Sequence, residues 1–477
     1  MERQSGVLMH ISSLFGGYSI GSFSRWAEYF VDFLADCGFG IWQVLPFCMP
    51  DEYNSPYSSY SSFGANPYFI DLEKLNSLGL ITDEELEAAR EKTAFFCEFD
   101  KLRAQRIPLL KSAAKRARNK EQILNFCRDN PSLQTTAEFM AKMEKNGGQP
   151  WWRWRDCEPS TEELFFWQFI QYEFFRQWGE IKAYANSRGI KIIGDLPIYV
   201  SHNSSDVWQA PEEFMLGEDN MPSLVGGVPP DYFSEKGQLW HNPIYNFKKM
   251  KKNGFSMWRE RIRHVLSIFD GVRLDHFRAF DAYWCVPATA EDARSGYWKR
   301  GPGRALIRAI REEAGDRLVI AEDLGDVTDS VEALRKYGKF PGMRVLQFGF
   351  LGEKNSKHLP HNYSEDTVAY TGTHDNSTLL GYVLEADEVT RNNILQYAGG
   401  EGLDVREGCE RVLRCMLASG AGAVIFPIQD ILGFGNDTRM NTPGIAEGNW
   451  GYRVTREQLD RIDRERWRYL NTLYARN

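Results

Sequence analysis

Phe269-Asp270-Gly271-Val272-Arg273-Leu274-Asp275-His276-Phe277 reads as a short buried strand that ends in charge. Side chains alternate faces along a strand, so Arg273 and Asp275 point one way while Val272 and Leu274 point the other. A guanidinium two residues before a carboxylate on one face can hydrogen-bond it and hold it ionised. Taken alone, such a pair is an ordinary strand-end ion pair. Two further stretches change its meaning. Ala321-Glu322-Asp323-Leu324-Gly325 follows the apolar run Leu318-Val319-Ile320, and Thr371-Gly372-Thr373-His374-Asp375-Asn376 follows Val368-Ala369-Tyr370. Apolar strands that end in acids point to an active site at one rim of a sheet.

Outward from these stretches the chain shows a regular series of short apolar runs bounded by turn residues. The expected strands are Gly6 to Ile11, Ile41 to Phe47, Ile190 to Val200, Phe269 to Phe277, Leu318 to Leu324, Met343 to Phe350, Val368 to His374 and Ala423 to Ile428. Most are near-continuous Val/Ile/Leu runs, as parallel strands buried on both faces require. Helical patterns lie between them, including Trp26 to Cys37, Phe165 to Ala185 and Pro302 to Glu313. The series predicts an α/β fold, a (β/α)8 TIM barrel whose site lies at the carboxyl ends of its strands. A doubly wound open sheet is the rival, but the glycine-rich phosphate loop that usually accompanies it is not found.

The expected organisation is a single (β/α)8 catalytic barrel over 1–477 with two insertions too long for simple barrel loops. A helical subdomain is expected at 76–160, ending near the cluster Trp151-Trp152-Arg153-Trp154. A Gly-, Pro- and aromatic-rich rim-loop subdomain is expected at 201–258, over the active site. The segment after the eighth strand is too short for a C-terminal β-sandwich, and Thr455 with Gln458 marks a capped helix there.

Net charge is −8 without a concentrated basic surface, which argues against nucleic acid as a partner. The basic run Lys111 to Lys120 reads as a solvated helix face. Aromatic residues make up 14% of the chain, including 14 Trp, enough for either packing or platforms under sugar rings. The 8 cysteines show no C-x-x-C pair and fit free thiols in a reducing compartment. No signal segment and no apolar stretch long enough to span a membrane is present, so a cytoplasmic, membrane-free protein is expected.

Acids at the ends of the fourth, fifth and seventh strands suggest glycosidic chemistry, which needs a proton donor and an opposing carboxylate in different environments. Arg273 favours a charged Asp275, the expected nucleophile. Glu322 would feel that charge and stay protonated, as the acid/base. Asp375 would hold substrate hydroxyls and stabilise positive charge at the ring. His276 and His374, each beside one of these acids, are candidates for hydrogen bonds to sugar hydroxyls. Divalent-metal binding is the other reading of such a rim, but no further His or carboxylate cluster completes a shell. No metal or cofactor is expected.

These stretches, together with Gly194-Asp195-Leu196-Pro197-Ile198-Tyr199-Val200, resemble the signature regions of the α-amylase clan. More narrowly, the chain resembles the 4-α-glucanotransferase (amylomaltase, disproportionating enzyme) family. Ser55-Pro56-Tyr57, Gly227-Val228-Pro229-Pro230-Asp231-Tyr232-Phe233, Gly237-Gln238-Leu239-Trp240 and Met440-Asn441-Thr442-Pro443-Gly444 carry that likeness, which covers nearly all of the chain except roughly 76–160. It implies a retaining double displacement on an α-1,4-glucan donor, with a sugar as acceptor. By motif position, Ser55, Asp195, Asp231, Gln238 and Asn441 are implied to bind hydroxyls, and Tyr57 and Trp240 to stack on sugar rings. A hydrolase of the same clan differs only in what accepts the glucosyl group. A catalytically silent glucan-binding protein would need no acid pair.

Overall fold

The computed structural model describes residues 2–155, 157–230, 234–353 and 355–477. Among them the strands are β1 (Gln4–Leu8), β2 (Ile41–Gln43), β3 (Lys191–Leu196), β4 (Leu224–Val228), β5 (Gln238–Pro243) and β6 (Gly271–Leu274). They continue with β7 (Ala282–Pro287), β8 (Tyr297–Arg300), β9 (Leu318–Ala321), β10 (Gly342–Val345), β11 (Thr367–Tyr370) and β12 (Ala423–Pro427). Eight of these close a barrel in the order β1-β12-β11-β10-β9-β6-β3-β2. All of its ladders are parallel. β11 and β12 are buried along their whole length and β3 exposes only Lys191, as strands covered on both faces must be.

Helices cover the barrel where the sequence periodicity places them. The helix Arg25–Cys37 starts under Ser24, whose side chain accepts from the Trp26 N–H, and stops at Gly38 with φ 74°. Its buried stripe includes Phe30, which meets Trp42 of β2 edge-on at 5.1 Å. The long helix Thr161–Ser187 and the helix Arg304–Ala314 match the other two expected segments.

Several strands are shorter than their apolar runs. β3 stops at Leu196 because Pro197 has no N–H to continue a ladder. β10 stops at Val345, whose N–H turns to His358 Nδ1 at 3.1 Å, and a 3-10 turn occupies Leu346–Phe350. β6 ends at Leu274, and His276 takes φ 48° just beyond it.

Between β2 and β3 the chain builds mostly helices, among them Asp83–Ala88 with a Thr82/Glu85 capping box, Ile107–Arg116, Lys120–Asp129 and Pro131–Lys145. The basic run lies on their outer faces, with Lys115 paired to Glu162 at 2.9 Å and Arg116 to Glu85 at 2.6 Å. The stretch 201–258 carries more regular structure than a rim loop. Its β4 and β5 belong to an antiparallel sheet ordered β5-β4-β7-β8, so the unit continues past 258 to the strands after β6. That sheet has a small apolar cluster of its own, Val225, Val286 and Ala293.

The barrel floor is tied by Arg476. Its guanidinium is buried and donates to the carbonyls of Leu417, Gln4, Ala421 and Ser419. The opposite rim is set by register. Leu274 of β6 lies beside Ala321 of β9, and Asp195 of β3 lies beside Arg273 of β6. The residues immediately after Leu274 and Ala321 therefore leave neighbouring strands side by side.

Candidate active site

Those residues are Asp275 and Glu322. Arg273, whose side chain is 2% exposed, reaches them from inside the barrel: its Nη1 lies 3.1 Å from Asp275 Oδ1 and its Nη2 3.0 Å from Glu322 Oε1. The same Nη1 donates to both oxygens of Asp195, at 2.7 and 2.9 Å. One guanidinium thus serves several carboxylates, and this revises the expectation that Arg273 keeps Asp275 ionised. Burial pushes the Asp275 carboxyl well above the usual carboxylate range. The charges of Glu322 and Asp195 and a hydrogen bond between the Asp275 and Glu322 side chains add to the push, against Arg273 alone. Glu322 Oε2 also accepts from the backbone N–H of His276. The left-handed backbone of His276 turns the chain so that this N–H meets the carboxylate, a conformation that non-glycine residues adopt at a cost.

Asp375, just past β11, completes the acid set in a different electrostatic setting. Burial opposes its ionisation, but His374, Asn441 and Arg273 outweigh burial and hold its pKa at about 2. His374 Nε2 lies 3.3 Å from Asp375 Oδ2, and Asn441 Nδ2 donates to Oδ1 at 2.6 Å. The Asn441 N–H donates to the His374 carbonyl at 3.1 Å.

Tyr57 joins the two halves. Its hydroxyl donates to Asp195 Oδ2 at 2.7 Å, and its ring stacks on His374 with centroids 5.0 Å apart and planes 15° apart. Burial, then Asp195, raises the Tyr57 phenol well above its usual range, so it remains a donor. On the other wall Trp240 meets His276 edge-on at 5.0 Å and donates to Gln238 Oε1 at 3.0 Å. Burial lowers His276 to about 4, so this imidazole is neutral at pH 7. Ser55 sits in the turn before Tyr57, its Oγ accepting the Tyr57 N–H at 3.3 Å. The structure thus brings Tyr57, Asp195, Gln238, Trp240, Arg273, His276, His374 and Asn441 into contact with the acids or with one another. Asp231 lies outside the described residues.

Sequence reasoning gives no role to Arg439, Trp450 or Asp430. Arg439 donates to the carbonyls of Asp375 and Asn441; its position two residues before Asn441 is the only local hint. Trp450 packs against Tyr57 and His374. Asp430, in the helix Ile428–Leu432 after β12, receives the Thr371 hydroxyl at 2.5 Å and the Leu379 N–H at 2.7 Å. Those partners flank the segment that bears His374 and Asp375, so this one carboxyl clamps it at both ends.

Burial raises Asp430 from its ordinary 3.8 to about 6. As pH rises through this window the unfolded chain loses its proton first, so the folded state loses stability between about pH 4 and 6. An asparagine amide in its place accepts from Leu379 with its oxygen and donates to the Thr371 hydroxyl with its nitrogen. Asp430→Asn is therefore expected to raise unfolding stability by about 2–3 kcal/mol at pH 7.5, with the gain vanishing below about pH 4. Denaturant unfolding at both pH values checks this, and a variant less stable than the parent at pH 7.5 contradicts it.

Among the described residues no group of three or more His, Cys, Asp or Glu could hold a metal ion, and no helix is long and apolar enough to cross a membrane. A closed parallel barrel whose acids gather at the carboxyl ends of its strands defines a (β/α)8-barrel enzyme. A family model described as 4-alpha-glucanotransferase matches residues 9–459, and the chain belongs to that family. It is 40% identical to a 4-alpha-glucanotransferase of Synechocystis sp. over 501 aligned positions, covering 100% of this chain and 98% of that protein. It is 41% identical to one of Streptococcus pneumoniae, again covering 100% and 98%. These alignments span 76–160, which the motif resemblance left out. Among solved structures, the amylomaltase of Streptococcus agalactiae in complex with acarbose matches with TM-score 0.95 at 35% identity, covering 100% of both chains. The amylomaltase of Corynebacterium glutamicum shares the fold, with TM-score 0.84 at 19% identity over 99% of this chain and 75% of that one.

Proposed function

We propose that this 4-alpha-glucanotransferase moves α-1,4-glucan segments from a maltooligosaccharide or starch-type donor to the 4-hydroxyl of an acceptor sugar by a retaining double displacement. Asp275 is the nucleophile, Glu322 the acid/base and Asp375 the group that holds ring hydroxyls and stabilises developing positive charge. The observation that carries this reading is the shared Arg273 guanidinium, 3.1 Å from Asp275 Oδ1 and 3.0 Å from Glu322 Oε1, which sets the two carboxyls side by side at the ends of neighbouring strands. An inverting pair stands about 6.5–9.5 Å apart to leave room for a water, whereas a retaining pair is closer.

The charge distribution fits the first step. The reaction needs a protonated Glu322 opposite an ionised Asp275. As a glycosidic oxygen enters beside Glu322, the proton that burial favours on Asp275 passes to Glu322 and leaves Asp275 ionised next to Arg273. Glu322 then gives that proton to the leaving 4-oxygen while Asp275 bonds to the anomeric carbon. In the second step Glu322 takes the proton of an acceptor hydroxyl, whose oxygen displaces Asp275. Asp375, ionised through the working pH range, faces the ring throughout. Tyr57 and Trp240 offer aromatic faces for sugar rings, and Ser55, Asp195, Asp231, Gln238, His276, His374 and Asn441 offer hydroxyl partners. The acarbose complex of the Streptococcus agalactiae amylomaltase supports a ligand of this class.

Incubation with maltotriose tests the reaction. Transfer yields glucose and a ladder of shorter and longer glucans with little net gain of reducing ends. A steady rise in reducing ends instead assigns the chain to hydrolysis, and unchanged maltotriose would reduce it to a binding protein.

A further inference from the structure

Trp450 stands out for its backbone. It is a bulky residue 6% exposed with φ 66°, a conformation in which an L side chain crowds the following carbonyl. A glycine would sit there without strain, yet the glycine comes one position later, at Gly451. Strain of this kind persists where the surroundings over-determine it, and here the surroundings are the site.

The indole centroid lies 5.9 Å from the Tyr57 ring and 5.9 Å from the His374 ring, tilted 42° and 37° to them. It therefore backs the stacked Tyr57–His374 pair. Tyr57 carries the hydrogen bond to Asp195, and His374 lies against Asp375. The main chain around Trp450 is pinned on both sides. Its N–H donates to the Met440 carbonyl at 2.6 Å, closing the neck of the exposed loop that starts at Asn441. Asn449 Oδ1 closes the loop again by accepting the Thr442 N–H at 2.9 Å. Beyond Trp450 the strand-like segment 451–453 is fastened to 95–97, with Cys97 N–H on Gly451 O at 2.8 Å and Arg453 N–H on Phe95 O at 2.9 Å. A left-handed residue between two such anchors reverses the chain and drives the ring inward.

We infer that Trp450 is a positioning residue that sets the partition between transfer and hydrolysis, by wedging Tyr57 and His374 into the wall of the site and closing that wall to water. This rests on the glucan-transfer reading above. Transfer must outcompete water at about 55 M, which oriented, water-excluding binding achieves. A gap behind Tyr57 and His374 loosens the partners of Asp195 and Asp375 together and admits solvent to the glycosyl-enzyme.

The test compares Trp450→Phe, Trp450→Leu and Trp450→Gly with the parent on maltotriose, measuring kcat, KM and the ratio of new reducing ends to transfer products. Trp450→Phe keeps a ring at the wall and is expected to stay within about threefold of the parent in kcat and ratio. Trp450→Leu and Trp450→Gly are expected to lose at least about tenfold in kcat, with KM changing less, and to raise the hydrolysis ratio at least about fivefold. Trp450→Leu keeps apolar bulk at the loop neck, so its result stands if the glycine variant fails to fold. A folded leucine variant with the parent's kcat and ratio overturns the inference, as does a phenylalanine variant as impaired as leucine. Absence of transfer by the parent instead overturns the functional reading itself.

Discussion

Asp275→Ala and Glu322→Gln are each expected to lower turnover on maltotriose by about 10⁴-fold or more, the scale on which removal of a nucleophile or a coupled acid/base acts. Both substitutions relieve a crowded acid cluster, so the barrel should hold or gain stability while activity collapses. That divergence separates chemistry from folding. The two losses also differ in kind. In the proposed mechanism Glu322 protonates a poor leaving group, so a donor with a good one, such as an α-maltosyl fluoride, should restore glycosylation in Glu322→Gln. The same donor leaves Asp275→Ala inactive, because nothing remains to bond the anomeric carbon. Near-normal maltotriose turnover in either variant removes its assigned role, and fluoride rescue of Asp275→Ala but not Glu322→Gln would exchange the two roles.

The second large effect belongs to Arg273. Its guanidinium is buried and faces Asp195, Asp275 and Glu322 at 2.7, 3.1 and 3.0 Å. Arg273→Met keeps a comparable apolar stem but leaves these acids without their cation. Breaking a buried pair from one side costs about 3–5 kcal/mol, and here several partners are stranded at once. The Asp275 carboxyl, already pushed above the usual carboxylate range by burial, loses its opposing cation and its folded-state pKa rises further. Groups raised in this way weaken the fold as pH increases, and the deficit relative to the parent should be larger at pH 7.5 than at pH 5. Arg273→Lys retains the charge, yet a single ammonium cannot span the separated carboxylates that a planar fork reaches. It should recover part of the stability and little of the turnover. Thermal unfolding at both pH values with parallel kinetics checks this, and a methionine variant as stable and active as the parent contradicts it.

The strand-end acids are legible in sequence because each rides on a local signal. A run of buried β-branched residues fixes a strand, and the polar residue after it must emerge at a rim. Tyr57, Gln238, Trp240 and Asn441 have no such signal and are reached only through motif likeness. What escapes depends on contacts between distant segments. Ile428-Gln429-Asp430-Ile431-Leu432 looks like a plain amphipathic turn, and nothing local shows that Asp430 grips Thr371 and Leu379. Trp450 comes after an Asn/Thr/Pro/Gly loop, but its positive φ arises from anchors contributed by 95–97 and Met440. The proton balance of Asp275 is misjudged from sequence for a related reason. Alternation along β6 correctly puts Arg273 beside Asp275, yet it cannot reveal that Asp195 and Glu322 draw on the same guanidinium. The sheet joining β4 and β5 to β7 and β8 escapes because β4 is broken by Gly226-Gly227 and the pairing reaches across the intervening barrel strand β6.

The adjacency of β6 and β9 also acts as a stereochemical ruler. Hydrogen-bonded strands repeat at about 4.8 Å, so acids leaving neighbouring strand tips fall within the span that yields retained configuration. Transplanting the acid one staircase step further, from β9 to β10, would stretch the interval to about 10 Å, wide enough for water to attack from the far face and invert the sugar. On the proposed mechanism the anomeric outcome is thereby inherited from strand order, a topological property that loop evolution on the rim leaves untouched.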